Sequence, residues 1–195
     1  MRLHAKPFWF LRHGETDWNA EGRSQGRTDI PLNAVGTAQA RRAARTLASL
    51  GAPLGIASIV ASPLSRARVT AEIAAEALGL PVSLDDDLAE VDFGEQEGLP
   101  MGDWYDDWIA DRYTPDGGES FRQLRDRAVL AVNRALALPA PMLVVAHGAL
   151  FRALRLEMGL EANIRTPNAL PLYLAPPAPG EVAWTITASS LASED

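Results

Sequence analysis

The 195-residue chain contains no cysteine, which excludes disulfides and thiolate chemistry. Long apolar runs are also absent. Residues 8–11 are apolar but end at Arg12, well short of the roughly 18 residues of a membrane-spanning helix and too few for a signal-peptide core. Positive charge is scarce, and a formal net charge of −7 disfavours nucleic-acid binding, which depends on basic surface. We therefore expect a cytoplasmic protein that binds neither membranes nor nucleic acids.

Histidine is rare as well, occurring only at positions 4, 13 and 147, and no two of these form a paired metal-binding motif. The aspartates at positions 85–87 have the composition of a solvated turn. We accordingly expect no metal site.

The length of the chain fits one globular domain, residues 1–195. Continuous apolar runs predict three strands buried on both faces of a parallel sheet: residues 8–11, 56–61 and 142–146. Helical patterns lie between them, at residues 36–50, at residues 62–78 and after the capping box of Ser120 and Gln123. For the second of these helices we expect Ser62 as N-cap, Pro63 as first helical residue and Gly79 as stop.

The alternation of strands and helices predicts an α/β fold, a three-layer α/β/α sandwich with a largely parallel central sheet. Residues 170–175 and 182–187 flank a Pro/Gly-rich loop and predict two edge strands. Residues 99–118 interrupt the alternation with aspartates and aromatic residues, and we expect them to form a small helical lid insertion. The chain is expected to fray from Ser189 onward.

Polar residues follow each of the three predicted buried strands: Arg12-His13, then Ser62 to Arg66, then His147-Gly148. Ligands of parallel sheets bind beyond the carboxyl ends of the strands. Arg66 also falls in the first turn of a helix, where the helix dipole disfavours a cation and a bound anion would relieve it. Each residue alone has a more ordinary structural interpretation, as a buried hydrogen-bonded histidine or a solvated arginine. Their equivalent positions at three strand ends favour a phosphate site.

The run Leu11-Arg12-His13-Gly14-Glu15-Thr16, followed by Trp18-Asn19, resembles the signature of the histidine phosphatase superfamily, the phosphoglycerate mutase-like proteins. Further matches follow in family order between about residues 8 and 155: Gln25-Gly26, residues 29–33, Gly36, Gln39-Ala40, residues 62–67, Thr70-Ala71, residues 88–94, Glu97-Gly98, and residues 117–121, 144–148 and 152–154. Any one match is weak, but the ordered set is specific.

The resemblance implies a metal-independent, cofactor-free phosphatase that hydrolyses a small phosphorylated metabolite. By analogy His13 attacks phosphorus and becomes a phosphohistidine, and Glu90 is the proton donor. The other implied catalytic residues are Arg12, Arg66 and His147, and the implied substrate-binding residues are Asn19, Gln25, Gly148 and Ala149.

The chemistry itself requires an acid, because an alkoxide leaves poorly unless it is protonated as it departs. From the residues alone, Asp92, Glu95 and Glu97 compete with Glu90 for this role. His13 must attack as a neutral imidazole, and nearby arginines disfavour the imidazolium. We therefore expect a bell-shaped pH profile, with His13 unprotonated and Glu90 protonated in the first step.

Two alternative functions are a phosphoglycerate mutase-type phosphotransferase and a non-catalytic relative that binds phosphorylated ligands. By the same resemblance, such mutases are longer chains whose insertion carries extra basic residues. Here residues 102–116 contain a single arginine, Arg112, which favours hydrolysis. The presence of every implied catalytic residue argues against a non-catalytic relative. The substrate and the oligomeric state are left open, as is whether Trp104, Tyr105 and Trp108 cover the substrate or only pack on their own domain.

Overall fold

The structure is a computed structural model, and it describes residues 2–51 and 54–189. The expected fraying concerns mainly residues 190–195, which lie outside the described residues. The helices are α1 (Asp17–Ala20), α2 (Ala34–Ala48), α3 (Ser65–Leu78), α4 (Trp104–Ile109), α5 (Phe121–Ala135) and α6 (Gly148–Glu157). The strands are β1 (Phe8–Arg12), β2 (Ser58–Ala61), β3 (Val82–Leu84), β4 (Met142–Ala146), β5 (Leu172–Ala175) and β6 (Thr185–Ala188).

The strands form one sheet in the order β3-β2-β4-β1-β5-β6. Strands β3, β2, β4 and β1 pair in parallel, and β5 is antiparallel to β1 and β6. In register, Arg12 pairs with Ala146, and Ala61 pairs with Val145. The carboxyl ends of β1, β2 and β4 therefore lie side by side at one edge, as the polar residues that follow them require.

Helices cover both faces of the sheet. Buried residues of α5 and α6 pack on one face, around Phe10, Val144 and Phe151. Alanines and leucines of α2 and α3 pack on the other face, against Leu11 and Val145. The two apolar clusters explain why β1 and β4 read as continuous apolar runs, because such strands are buried on both sides. The predicted α/β/α sandwich with a largely parallel sheet is confirmed.

Several element boundaries differ from the sequence expectations. Helix α3 begins at Ser65 with Leu64 as N-cap, so Ser62 is not the cap and Pro63 precedes the helix. The Ser62 hydroxyl accepts from the Leu64 amide at 3.3 Å and also contacts Nε2 of His147 at 2.7 Å. That long-range contact explains why a local capping pattern was the wrong interpretation. Gly79 does end α3, in the left-handed conformation with φ 66°.

The sheet edges also differ from the expectation. Only β6 is an edge strand of the predicted C-terminal pair, since β5 lies between β1 and β6. The other edge is β3, a half-exposed strand of three residues that is too short for a clear sequence pattern. The capping box of Ser120 and Gln123 is present at the start of α5. Every helix within residues 2–51 and 54–189 is too short or too polar to cross a bilayer.

Residues 99–118 contain the short helix α4, which packs into the core. Trp108 is fully buried, and its indole N–H donates to the carbonyl of Glu119 at 2.9 Å. Its ring makes edge contacts with Phe93 and Phe121, at centroid distances of 5.2 and 5.0 Å. The aromatic content of this segment is therefore used largely for packing, and α4 is fixed to the body of the protein by Trp108.

Candidate active site

A cavity of about 300 Å³ opens at the carboxyl ends of the parallel strands. Seven of the nine predicted site residues line it: Arg12, His13, Asn19, Gln25, Glu90, Gly148 and Ala149. The other two, Arg66 and His147, are fully buried beside it and are not part of its wall. The centroid of the His147 ring lies 5.2 Å from that of His13. The predicted residues thus come together, in an inner buried group and a surface open to a ligand.

His13 is held in one orientation by the backbone. It is buried, and its Nδ1 lies 2.7 Å from the carbonyl oxygen of Gly14. A carbonyl accepts but cannot donate, so Nδ1 carries the hydrogen and Nε2 has the free lone pair. Burial, followed by the charges of Arg66 and Arg12, holds the pKa of His13 well below its usual value. The imidazole is therefore neutral at physiological pH, as a nucleophile needs.

Two arginines beside His13, the fully buried Arg66 and the half-buried Arg12, supply positive charge. Arg12 donates to the carbonyl of Thr166 at 2.6 Å, and Arg66 donates to the carbonyl of Gly26 at 2.7 Å and to that of Thr28 at 3.0 Å. Within the described ranges, neither guanidinium has a carboxylate within 4.0 Å, and the Nε of each is buried without a hydrogen-bond partner. Burial is the largest cause that lowers both pKa values, to about 10, so both groups stay charged.

His147 follows β4 and caps α6. Its Nε2 lies 2.7 Å from the hydroxyl of Ser62, so the residue after β2 positions the residue after β4. Its Nδ1 is buried and has no partner among the described residues. The pKa of His147 is held well below its usual value by burial first, and then by Arg66 and His13. His147 is therefore a neutral hydrogen-bonding group.

Glu90 lies at the N-terminus of α6. Its carboxylate accepts from the amides of Ala149 and Leu150, both at 3.0 Å, and from its neighbour Val91 at 3.1 Å. The free amides of a helix N-terminus and their dipole favour an acidic side chain at this place. The Ala149 amide, which was expected to face substrate, is thus engaged by Glu90, and Gly148 supplies the first amide of the helix.

The three acidic residues that competed with Glu90 have other contacts. Asp92 accepts from the amide of Gly94 at 2.9 Å, and Glu95 accepts from the Tyr113 hydroxyl at 3.1 Å. Glu97 accepts from the Thr28 hydroxyl and from the backbone amides of residues 27, 28 and 93. Burial alone would raise the pKa of Glu97, but these hydrogen bonds, first that of the Thr28 hydroxyl, lower it. Among the described residues, Glu90 is the one carboxylate that lines the cavity.

Arg127 of α5 holds the loop that carries Glu90. Its guanidinium donates to the carbonyls of Asp87, Ala89 and Glu90 at 2.8, 2.6 and 3.0 Å. It also forms a bidentate ion pair with Glu119, with both contacts at 2.7 Å and both side chains 15% exposed. Arg127 thus connects α5 to the loop that carries Glu90.

Asn19 and Gln25 belong to one hydrogen-bond network. The Gln25 carbonyl oxygen accepts from the Thr16 hydroxyl at 2.6 Å and from Nδ2 of Asn19 at 3.2 Å. Asn168 donates to Oδ1 of Asn19 at 3.1 Å and to the backbone carbonyl of His13 at 3.0 Å. The network links the loop after β1 to the segment before β5, and it holds two polar side chains against the cavity.

The insertion contributes to the cavity through Met101 and Tyr105, while Trp104 and Trp108 are not part of the wall. Burial raises the pKa of Tyr105, which keeps its hydroxyl protonated. Three arginines that the sequence interpretation did not single out as site residues also line the cavity: Arg23, which is ion-paired with Glu21 at 2.7 Å, Arg152 and Arg165. Arg152 lies one helical turn after Gly148, so its position on the same face of α6 was available from the sequence. Arg165 lies in an irregular loop, for which no periodicity exists.

The model of the histidine phosphatase superfamily (branch 1) matches residues 8–174. The chain belongs to this superfamily. It is 41% identical over 155 residues to an uncharacterised phosphatase, PhoE, of Bacillus subtilis, covering 76% of this chain and 75% of that protein. It is also 41% identical over 151 residues to a protein named probable phosphoglycerate mutase GpmB, of Klebsiella pneumoniae, covering 72% of this chain and 68% of that one.

Among solved structures, a mycobacterial glucosyl-3-phosphoglycerate phosphatase superposes with a TM-score of 0.78 at 28% identity, covering 97% of this chain and all of the other. Three further curated relatives are longer, and the chain spans about half of their length. The relatives thus include phosphatases and mutase-like proteins.

Proposed function

We propose that this protein is a phosphomonoesterase that hydrolyses a small phosphorylated metabolite through a phosphohistidine on His13. One observation carries the proposal: a neutral, oriented histidine lies in a cavity beside two guanidinium groups that, within residues 2–51 and 54–189, have no carboxylate within 4.0 Å and each keep a buried Nε without a partner. The charge of Glu90 acts on both arginines but offsets only one of the two positive charges, so the pair beside a nucleophile still favours an anionic ligand. A phosphoryl group supplies that charge.

In the first step, Nε2 of His13 attacks phosphorus and the bond from phosphorus to the ester oxygen breaks. The departing oxygen takes a proton from Glu90. In the second step, water gives a proton back to Glu90 and attacks phosphorus, and the bond from phosphorus to nitrogen breaks. Phosphate and the neutral histidine are regenerated. Each proton and bond is thereby balanced within two steps.

Arg12, Arg66 and His147 would stabilise the charge that develops on the phosphoryl oxygens. Fixed cations and N–H groups are most effective when they need no reorganisation, and here backbone carbonyls and the Ser62 hydroxyl already hold all three side chains. Because the arginines provide the positive charge that a metal supplies in other phosphatases, we expect activity without a metal ion or other cofactor. The amide of Gly148 and the side chain of Asn19 would complete the cradle.

The mutase alternative requires basic residues in the insertion. Arg112 is the single arginine there, and it is exposed, paired with Asp107 and outside the cavity wall. This geometry favours hydrolysis over return of the phosphoryl group to a second hydroxyl. A non-catalytic binding protein would need neither the oriented Nε2 of His13 nor Glu90 in the wall. The cytoplasmic location, and the exclusion of membranes and nucleic acids as partners, stay predictions from the sequence.

The proposal is tested by phosphate release from a panel of phosphorylated metabolites in the presence of a chelator, for the wild type and for His13→Ala. We expect turnover that is insensitive to chelation and lost in the variant. Retained turnover in His13→Ala, or complete loss on chelation, would contradict the mechanism. A sugar-acid phosphate in the panel, followed for isomer formation, separates a phosphatase from a mutase.

A further inference from the structure

Three arginines of the cavity wall, Arg23, Arg152 and Arg165, have no role in the proposed mechanism. Arg23 is ion-paired with Glu21 at 2.7 Å, which leaves Arg152 and Arg165. Arg152 of α6 is half-buried, and Arg165, in the loop between α6 and β5, is exposed. His13 is buried, so the cavity extends from His13 outward to this pair. We propose that Arg152 and Arg165 form a second anion site, and that the substrate carries a carboxylate or a second phosphate in addition to its reacting phosphoryl group. This inference rests on the proposed function for the inner site.

The charge of these two arginines is not balanced locally. Across residues 2–51 and 54–189, neither has a carboxylate within 4.0 Å, whereas arginines such as Arg127 and Arg134 are ion-paired. The acidic residue that lines the cavity is Glu90, and its oxygens are already engaged by amides of α6. In a chain whose net charge is −7, an unbalanced basic surface inside a cavity favours an anionic ligand.

Arg152 is held in place by neutral contacts. Its guanidinium carbon lies 4.8 Å from the centroid of the Tyr105 ring, and Nη1 donates to Oδ1 of Asn163 at 2.8 Å. Asn163 in turn donates to Asp106 at 2.7 Å. The side-chain amide of Asn163 thus lies between Asp106 and Arg152, and these two contacts include no direct ion pair. A guanidinium stacked on an aromatic ring loses little freedom when it binds an anion, and most of its N–H donors are left for a ligand.

The loop that carries Arg165 is tied to the inner site. The neighbouring residue, Thr166, accepts from Arg12 at 2.6 Å, and the amide of Ala169 donates to the carbonyl of Arg12 at 2.9 Å. Arg165 and Arg152 are also close enough to Arg12 to add to the lowering of its pKa, which burial dominates. The loop that carries Arg165 is therefore anchored beside the inner site. Phe93, Met101 and Tyr105 line the same cavity and give an apolar surface for the carbon skeleton that joins the two anionic groups.

Binding of non-hydrolysable probes tests the second site without requiring turnover. Benzylphosphonate carries one anionic group, 3- and 4-carboxybenzylphosphonate add a carboxylate, and p-xylylenediphosphonate adds a second phosphonate. Their Kd values are measured by calorimetry at low ionic strength for the wild type, Arg152→Gln and Arg165→Gln. Arg155→Gln is the matched control, because Arg155 is also on α6 but donates to the carbonyl of Glu161 and does not line the cavity.

We expect at least one probe with a second anion to bind the wild type about tenfold more tightly than benzylphosphonate, as for an added charge-assisted hydrogen bond. Arg152→Gln and Arg165→Gln should each reduce this preference several-fold, and Arg155→Gln should keep it. The better of the carboxylate and phosphonate probes identifies the second anion. Equal Kd values for all probes, or an unchanged preference in both Arg152→Gln and Arg165→Gln, would overturn the inference.

The proposed function is tested separately with phenyl phosphate, which has no second anion. If phenyl phosphate is hydrolysed through His13 but the probe preference is missing, the second anion site is wrong and the phosphatase mechanism stands. If the probe preference is present and depends on Arg152 and Arg165, but no phosphate is ever released, the second anion site is supported and the proposed function fails.

Discussion

Replacing Arg127 by methionine should reduce both stability and catalysis, for two separable reasons. The variant leaves the carboxylate of Glu119, whose side chain is only 15% exposed, without a partner, and breaking such a pair costs about 3 kcal/mol. In a chain of this size, that loss corresponds to a decrease in Tm of roughly 6 to 12 °C. It also removes the donor to the carbonyls of Ala89 and Glu90, so Glu90 is less well fixed. A misplaced acid lowers kcat by up to about a hundredfold.

The two effects are measured by urea denaturation and by steady-state hydrolysis of phenyl phosphate at a temperature where the variant is folded. Adding Glu119→Leu removes the unpaired carboxylate, so the double variant should recover about 2 kcal/mol of the loss without recovering kcat. Arg122→Met, on the same helix, is the control. It removes the ion pair between the exposed Arg122 side chain and Asp111, and it should change the free energy of unfolding by less than about 1 kcal/mol.

The pH profile distinguishes a positioning role from a purely structural one. If Arg127 positions Glu90, the limb of the kcat profile that reports the catalytic acid should shift in Arg127→Met and in the double variant. Loss of stability with a wild-type kcat and an unshifted profile would refute the reasoning that the contacts of Arg127 position Glu90.

Three further predictions concern groups around the nucleophile. The pKa values of His13 and His147 are lowered in the folded protein, whereas histidines of the unfolded chain bind protons near pH 6.5. The free energy of unfolding, measured by urea titration, should therefore be constant above that pH and fall below it, by up to about 1.4 kcal/mol per pH unit for each histidine. A constant free energy of unfolding between pH 7 and 5 would contradict this. Ser62→Ala leaves Nε2 of His147 unpartnered and should cost about 1 to 3 kcal/mol and reduce kcat, whereas Ser62→Thr, which keeps the hydroxyl, should lose less activity. Gly36→Ala places a methyl group against the backbone of Glu15 and should destabilise the protein by about 1 to 3 kcal/mol. A wild-type Tm would show that the backbones at Gly36 and Glu15 can move apart without cost.

The inner part of the site was predictable because continuous apolar runs mark where buried strands end. Residues 8–11 and 142–146 located β1 and β4, and the residues that follow them, Arg12-His13 and His147, are where parallel strands present ligand-binding groups. Glu90 was different. It lies in a loop among other acidic residues, so only the resemblance to the superfamily selected it, and its contacts with α6 depend on tertiary structure.

Other features depend on contacts between residues far apart in the chain, which local patterns do not encode. The hydroxyl of Ser62 contacts a histidine that lies 85 positions later, and therefore α3 is capped at a different residue. Arg165 is in an irregular loop whose path is fixed by hydrogen bonds to β1. The small helix within residues 99–118 was predicted correctly. The sequence did not show that Trp108 packs in the core whereas Tyr105 lines the cavity.

The most direct test of the mechanism is to trap the covalent intermediate. Enzyme mixed with labelled phenyl phosphate is quenched in alkali during turnover, and its peptides are mapped by mass spectrometry. The mechanism predicts an alkali-stable, acid-labile phosphoryl group on the peptide that contains His13, and none in His13→Ala. Turnover by the wild type with no phosphoryl group on His13, or with the group on another residue such as His147, would contradict it.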